Sequence, residues 1–314
     1  MMYLKLGLSW LLLLTLGVKA GPLQWGHVSE DAKWVAHIDF EGLRQTSLYN
    51  QLSEKFLKQP MAEAEAKIEQ STGLKIKLDS LLSITAFGKS TGKSPDEDGV
   101  LVLEMSPDLK KIAMDILSKA QQNEGPKLPV SIQHVEGGVD HLFSIDGEIL
   151  IAGDSDSNFF CIGRNKDRVE KSISILGTSK QGGPVRSQFK EYPSPKGTLA
   201  YVAMANAFDG ANLPAQQAKV LQMSKGASFA LGESNESIFL KLLLNTKNSG
   251  DSLQIQRILA GVQAVAMLNA QQPEWFPVLQ AIDIRNEDQR VWVNWNMSLQ
   301  NAKKLIHALQ GSKK

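Results

Sequence analysis

The chain has 314 residues, 42% of them apolar and 21% charged, a composition that suits a folded globular protein with room for one large core or two smaller ones. Its 34 basic and 33 acidic residues leave a net charge of +1, too little for a general field that would draw nucleic acid or an anionic membrane. A single cysteine, Cys161, excludes an intramolecular disulfide, and its place in the apolar run NFFCIG reads as a small buried hydrophobe.

The N-terminus reads as an export leader. Lys5 supplies the positive flank, LGLSWLLLLTLGV the apolar run, and Val18-Lys19-Ala20 the small residues of a cleavage site. Residues 1–20 are therefore expected to be a signal peptide, with the mature chain starting at Gly21, in the periplasm or outside the cell. An uncleaved anchor is the competing reading, although the run is short for a membrane span.

Next comes WVAHIDF, residues 34–40, which alternates as a strand. The pattern predicts Trp34, Ala36, Ile38 and Phe40 on the core side and Val35, His37 and Asp39 on a wetter one. Helical sequence follows from about 41 to 70, broken near Pro60, with Gly73 as a C-cap. Strands at Ser83–Phe87 and Val100–Met105 flank a polar loop. Ser106-Pro107-Asp108 then begins a helix with apolar positions Leu109, Ile112, Ile116 and Leu117. An added strand at 130–135 precedes HLFSIDGEILIAG, where Asp146-Gly147 favours a tight type I′ turn. A strand at 158–163 leads to a helix capped by Asn165, with Val169, Ile173 and Leu176 on one face.

Residues 178–197 concentrate Gly, Ser and Pro and mark the expected linker between domains 21–177 and 198–314, with Phe189 and Tyr192 able to dock part of it. Beyond it the plan recurs. A strand at 198–204 and a short helix at 215–223 come first, then a hairpin at 227–244 and a helix carrying Ile255, Leu259, Val262 and Ala266. Pro273 and Pro277 interrupt the path. A second hairpin at 281–295 and a helix capped by Ser298 end the chain, with Ala302, Leu305, Ile306 and Leu309 on its apolar face. The expected fold is α+β: two similar halves, each an antiparallel sheet of hairpin–helix (ββα) units with helices packed on one face.

Together with these recurring units and the leader, the stretch DAKWVAHIDFEGLRQTSLYNQL resembles uncharacterised exported proteins of environmental bacteria. That resemblance implies export and an α+β fold, and it carries no activity onto named positions.

No G-x-S-x-G, H-E-x-x-H, phosphate-binding Gly-rich loop or paired-Cys motif is present. His37 and Asp39, two apart on a strand, share a face, where a carboxylate could orient an imidazole as a general base or help to hold a metal; the alternative is the polar face of a strand. Asp154, Asp156 and Asn158 have the one-three-five spacing that opens a calcium loop, but Phe159 and Asn165 stand where that loop needs Gly and Glu, so a polar turn is the competing reading. His134, Asp140 and His141 match no standard zinc spacing. Trp292 and Trp295 lie on opposite faces of one strand, and Asn235 and Asn296 stand in N-x-S sequons. No cofactor is implied. The reading that follows is an exported, non-enzymatic binding or structural protein whose partner is a protein or small molecule and which could dimerise. The alternative is a hydrolase-like or metal-assisted enzyme with its site near His37 and Asp39.

Overall fold

The structure, a computed structural model, describes residues 23–47, 49, 62–63, 65–67, 69–70, 77–90, 97–122, 131–178, 184–206, 220, 222–270 and 275–311. The leader, half of the helical stretch at 41–70, Gly73, the loop at 123–129, Pro273 and most of the helix expected at 215–223 lie outside these residues. So do the side chains of Ile306 and Leu309.

Twelve strands form one antiparallel sheet. In chain order they are β1 (Trp34–Asp39), β2 (Leu81–Gly88), β3 (Val100–Met105), β4 (Ile132–His134), β5 (His141–Ile145), β6 (Ile149–Gly153), β7 (Phe159–Gly163), β8 (Thr198–Ala205), β9 (Ser224–Ser234), β10 (Ser237–Thr246), β11 (Ile282–Glu287) and β12 (Arg290–Ser298). Across the sheet the order is β11-β12-β10-β9-β8-β1-β2-β3-β7-β6-β5-β4. Among the described residues the helices include α1 (Phe40–Arg44), α2 (Pro107–Gln121), α3 (Lys166–Thr178), α4 (Ser249–Leu268), α5 (Trp275–Gln280) and α6 (Leu299–Gly311). The α+β class is as expected.

The two halves meet edge to edge. β1 pairs antiparallel with β8, and His37 stands opposite Tyr201 in the middle of that ladder. Outward from this seam the order β1-β2-β3-β7-β6 on one side matches β8-β9-β10-β12-β11 on the other. β5 and β4 extend the first side. This arrangement is compatible with two similar halves, here sharing a single sheet.

Local chemistry accounts for the elements. The Ser106 hydroxyl accepts from Leu109 N at 3.2 Å and caps α2, with Pro107 in its first turn. Asn165 caps α3 through Arg168 N, Ser298 caps α6 through Asn301 N, and Asn248 caps α4 through Asp251 N. Asp146 and Gly147 take the positive φ values, 51° and 73°, that a type I′ hairpin requires.

Both faces of the central strands carry apolar residues, so both need cover. On one face α2 packs Leu109, Ala113, Met114 and Leu117 against Leu103, Phe143 and Phe160, while α4 and α6 cover the other half of the sheet. Ile112, expected on the inner stripe of α2, is exposed instead. The opposite face is covered by α3, through Val169, Ile173 and Leu176, and by irregular chain at 23–32 and 184–197. The helices therefore do not all share one face, because Val100, Val102 and Cys161 would otherwise be left open to water.

The stretch expected as a linker is, where described, part of the core. Phe189 and Tyr192 are buried, and the Trp25 ring lies 5.3 Å from Phe189 and 5.9 Å from Tyr201. Arg186 donates to Val28 O and Gly26 O, Gln188 donates to Glu30 O and Ala32 O, and the Tyr201 hydroxyl donates to Tyr192 O at 2.6 Å. Each aromatic sealed in this way contributes about 2–3 kcal/mol of burial.

Candidate functional site

The first strand faces the other way from its expected orientation. Val35, His37 and Asp39 point to the covered face, where His37 is 4% and Asp39 5% exposed, while Ile38 is 41% exposed on the opposite side. Alternation was read correctly and its sense was not: both faces of β1 carry apolar side chains, and the layer over the His37 side comes from residues 25–32 and 186–192, far apart in the chain.

Around His37 a polar row crosses the seam. Tyr201 flanks it from β8 and Thr85 from β2, with His37 Nδ1 2.9 Å from Thr85 Oγ1. One register step along, Asp39, Ser83 and Glu104 lie side by side on β1, β2 and β3, and the Ser83 hydroxyl donates to Glu104 Oε2 at 2.8 Å. The Asp39 carboxylate accepts from Gly42 N at 2.7 Å and so caps α1. Burial, reinforced by Glu104 and Glu41, outweighs that bond and the Arg44 cation and pushes the Asp39 carboxyl up to about 6. Burial also raises Glu104, against the lowering effect of the Ser83 hydroxyl. This row is a sealed seam of hydrogen-bonded groups, two of them carboxyls that hold their protons more tightly than usual.

The other residues singled out by the sequence stay apart. Asp154, Asp156 and Asn158 belong to the β6–β7 connection, whose backbone carbonyls are turned inward onto the Lys110 ammonium of α2. Asp154 O, Ser155 O and Ser157 O all accept from Lys110 Nζ, the second at 2.9 Å. The loop thus surrounds a cation supplied by the chain itself, and the Asp154 carboxylate is turned back to accept from Asp156 N. Burial lowers the Lys110 pKa, opposed by Asp154 and Asp156. His134 packs edge-on to Phe143, and His141 Nε2 lies 3.2 Å from Ser155 Oγ. Asp140 is exposed. Among the described residues no group of three or more His, Cys, Asp or Glu could hold a metal ion. Trp292 packs on the His37 face and Trp295 on the other, where its Nε1 donates to Val278 O. Cys161 is buried, which raises its thiol pKa. Asn235 sits at the tip of the β9–β10 turn with φ 51°.

The cavity that stands out was not anticipated. A cleft of about 950 Å³ opens where β8 ends, β9 begins and β10 ends, with residues 187–192 as one wall and the β11–β12 turn as another. Buried Asn245 lies in it and donates to Glu191 Oε2 at 2.9 Å; Glu191 in turn lies 3.7 Å from Arg290. Lys225 Nζ donates to Gln289 Oε1 at 3.3 Å. The Tyr192 ring closes over Gly226, where a Cβ would stand 2.1 Å from the phenol oxygen and 2.3 Å from Met204 O, so only glycine fits. Lys190, Lys225 and Arg290 balance Glu191, Glu287 and Asp288 around the rim. Such a surface suits a polar ligand of low net charge, bound through hydrogen bonds.

No protein-family model matches the chain, and no curated protein does. Among solved structures, crystal form III of TP0453 is similar over 92% of this chain and 100% of its own, at 13% identity and a TM-score of 0.45. Crystal form I of TP0453 is similar over 93% and 99%, at 14% identity and 0.43. This is a distant likeness.

Sequence reasoning missed the cleft because its residues come from five separate stretches and form no motif. Tyr192, marked as a residue able to dock the linker, was the one pointer to it.

Proposed function

We propose that the protein is an exported binding protein without catalytic activity, which takes a small polar ligand in the cleft beside Asn245. The observation that carries this reading is the cleft itself: its volume lies within the range of small-molecule sites, and amide, phenol, carboxylate and cationic groups from separate elements converge on it. The burial of His37 and Asp39 supports the same reading, since a general base must reach its substrate. Export is supported by the charged flank, apolar run and small residues of the leader. No helix among the described residues is long and apolar enough to cross a membrane.

Thermal-shift measurement against free amino acids, short peptides and mono- and disaccharides tests the binding reading. A true ligand at a hundred times its Kd stabilises the fold by about 2.7 kcal/mol, and the Lys225→Ala/Arg290→Ala variant loses most of that shift. If no member of the panel moves the transition, or if the variant responds as wild type does, the cleft is not the site. Mass spectrometry of the native chain is expected to find Gly21 at the N-terminus; recovery of Met1 would overturn cleavage and favour an uncleaved anchor.

A further inference from the structure

Helix α4 is apolar on both sides along its second half, with Leu259 packed on the core. Over residues 258–268, ILAGVQAVAML, the polar side chain faces inward: Gln263 Nε2 donates to Leu279 O at 2.8 Å and to Ile282 O at 2.9 Å. The outward face is Ile258, Ala260, Gly261, Val262, Ala264, Val265 and Leu268. Val262 is 62% exposed, Val265 57% and Leu268 86%. Val262 was expected on the buried stripe, and amphipathic helices normally turn that side to the core. Ile258, Val262, Val265 and Leu268 fall at helical spacing along a stripe of about 15 Å. Exposed Trp275 and Phe276 lie on α5, which packs beside α4.

A second observation concerns Gly261, in the middle of the stripe. Among the described residues a Cβ there would meet nothing within 4 Å, so none of their contacts calls for glycine. Glycine in a helix interior nonetheless costs about 1 kcal/mol relative to alanine.

We propose that this face docks a second copy of the chain, α4 against α4 in an isologous two-fold dimer. Two-fold packing sets a patch against itself, and a charged patch would then meet its own sign. The stripe from 258 to 268 holds no charge at all. Gly261 lets the two backbones approach near the lower end of the usual 8–10 Å helix spacing. A helix that lies on an anionic bilayer is flanked by lysines and arginines, whereas Arg257 is the only lysine or arginine in the sequence from 248 to 280. The patch is small, so the interface is on the order of 1,000 Å² in total and the dimer dissociates readily. The stripe lies at the far end of α4 from Ser249, which borders the cleft, so dimerisation and ligand binding can be tested separately.

Sedimentation equilibrium of the full chain across the micromolar range is expected to show an average mass rising toward twice that of the monomer. Val262→Glu/Val265→Glu alters two exposed positions and should keep the wild-type circular dichroism while weakening association at least about tenfold, a change of about 1.4 kcal/mol. In oxidising buffer Gly261→Cys should cross-link two chains in a concentration-dependent way, and cysteine at the exposed loop position Gly138 should not. A wild type that is monomeric throughout overturns the proposal, as does association unchanged by the two glutamates or a Gly261→Cys chain that stays monomeric. Monomers that bind neutral lipid vesicles through this stripe overturn it too, by making a bilayer the occupant.

Discussion

Asp39 illustrates how one residue can be recognised in the sequence with two roles open, one chemical and one at the start of the next helix. Its pairing with His37 suggested chemistry, yet its carboxylate caps α1 from inside the sheet–cover interface. Because burial lifts its pKa to about 6, the folded protein holds a proton there that the unfolded chain, near 3.8, has released. The stability this proton brings is complete below the unfolded value and is lost as pH rises through 6. His27 behaves oppositely. Buried against Phe159, its pKa falls to about 4, so in the window between 4 and 6.5 the unfolded chain takes up a proton and acidification destabilises the fold. Asn at position 39 keeps the cap and removes the charge. Asp39→Asn is expected to stabilise the protein at neutral pH by about 1–2 kcal/mol, an advantage that fades as pH falls through 6 toward 3.8. Urea midpoints measured across that range check this, and a constant difference at every pH would refute it.

At the scale of elements, local signals were legible and facing was not. The caps at Ser106, Asn165 and Ser298 and the Asp146-Gly147 turn are written within four residues of each other in every case, so reading them needs no knowledge of the rest of the fold. Which side of β1 is covered depends in part on chain more than a hundred residues away, at 186–192, and alternation alone carries no such information. The β6–β7 connection makes the same point: Asp154, Asp156 and Asn158 look like ligands awaiting a cation, and Lys110 on α2 supplies one. Lys110→Met should therefore free the loop while leaving the strands in place. About 2 kcal/mol of stability should be lost, with faster hydrogen exchange concentrated at 154–158. Lys110→Arg should not restore it, because a planar guanidinium cannot take the place of a compact ammonium among three converging carbonyls. Exchange rates that rise equally throughout the sheet would contradict this account.

For the molecule as a whole, the order of strands and helices was legible and the joining of the two ends of the chain in one sheet was not. A strand's alternation reports its faces and says nothing of which strands pair at its edges, and the pairing of His37 with Tyr201 is signalled by nothing local. Since β1 pairs with both β2 and β8, and one core takes Val35, Phe87, Phe189, Tyr201 and Leu243 from both halves, neither half can melt without opening the other's core. Calorimetry is expected to show a single transition with matching calorimetric and van't Hoff enthalpies. Two resolved transitions would mean that the halves are independent domains.

The seam has a consequence for how the protein is made. Contacts within each half close over short stretches of chain, whereas the β1–β8 ladder waits until the second half has been synthesised. Until then β1 presents a bare edge of unpaired amides and carbonyls, bordered by Ile38 on one face and His37 on the other. An exposed edge of this kind recruits any strand within reach. The nascent first half is thus most prone to misassembly, or to swapping with a neighbouring chain, in the interval before β8 emerges, and a chaperone that holds the chain extended during synthesis would protect this one strand above all others.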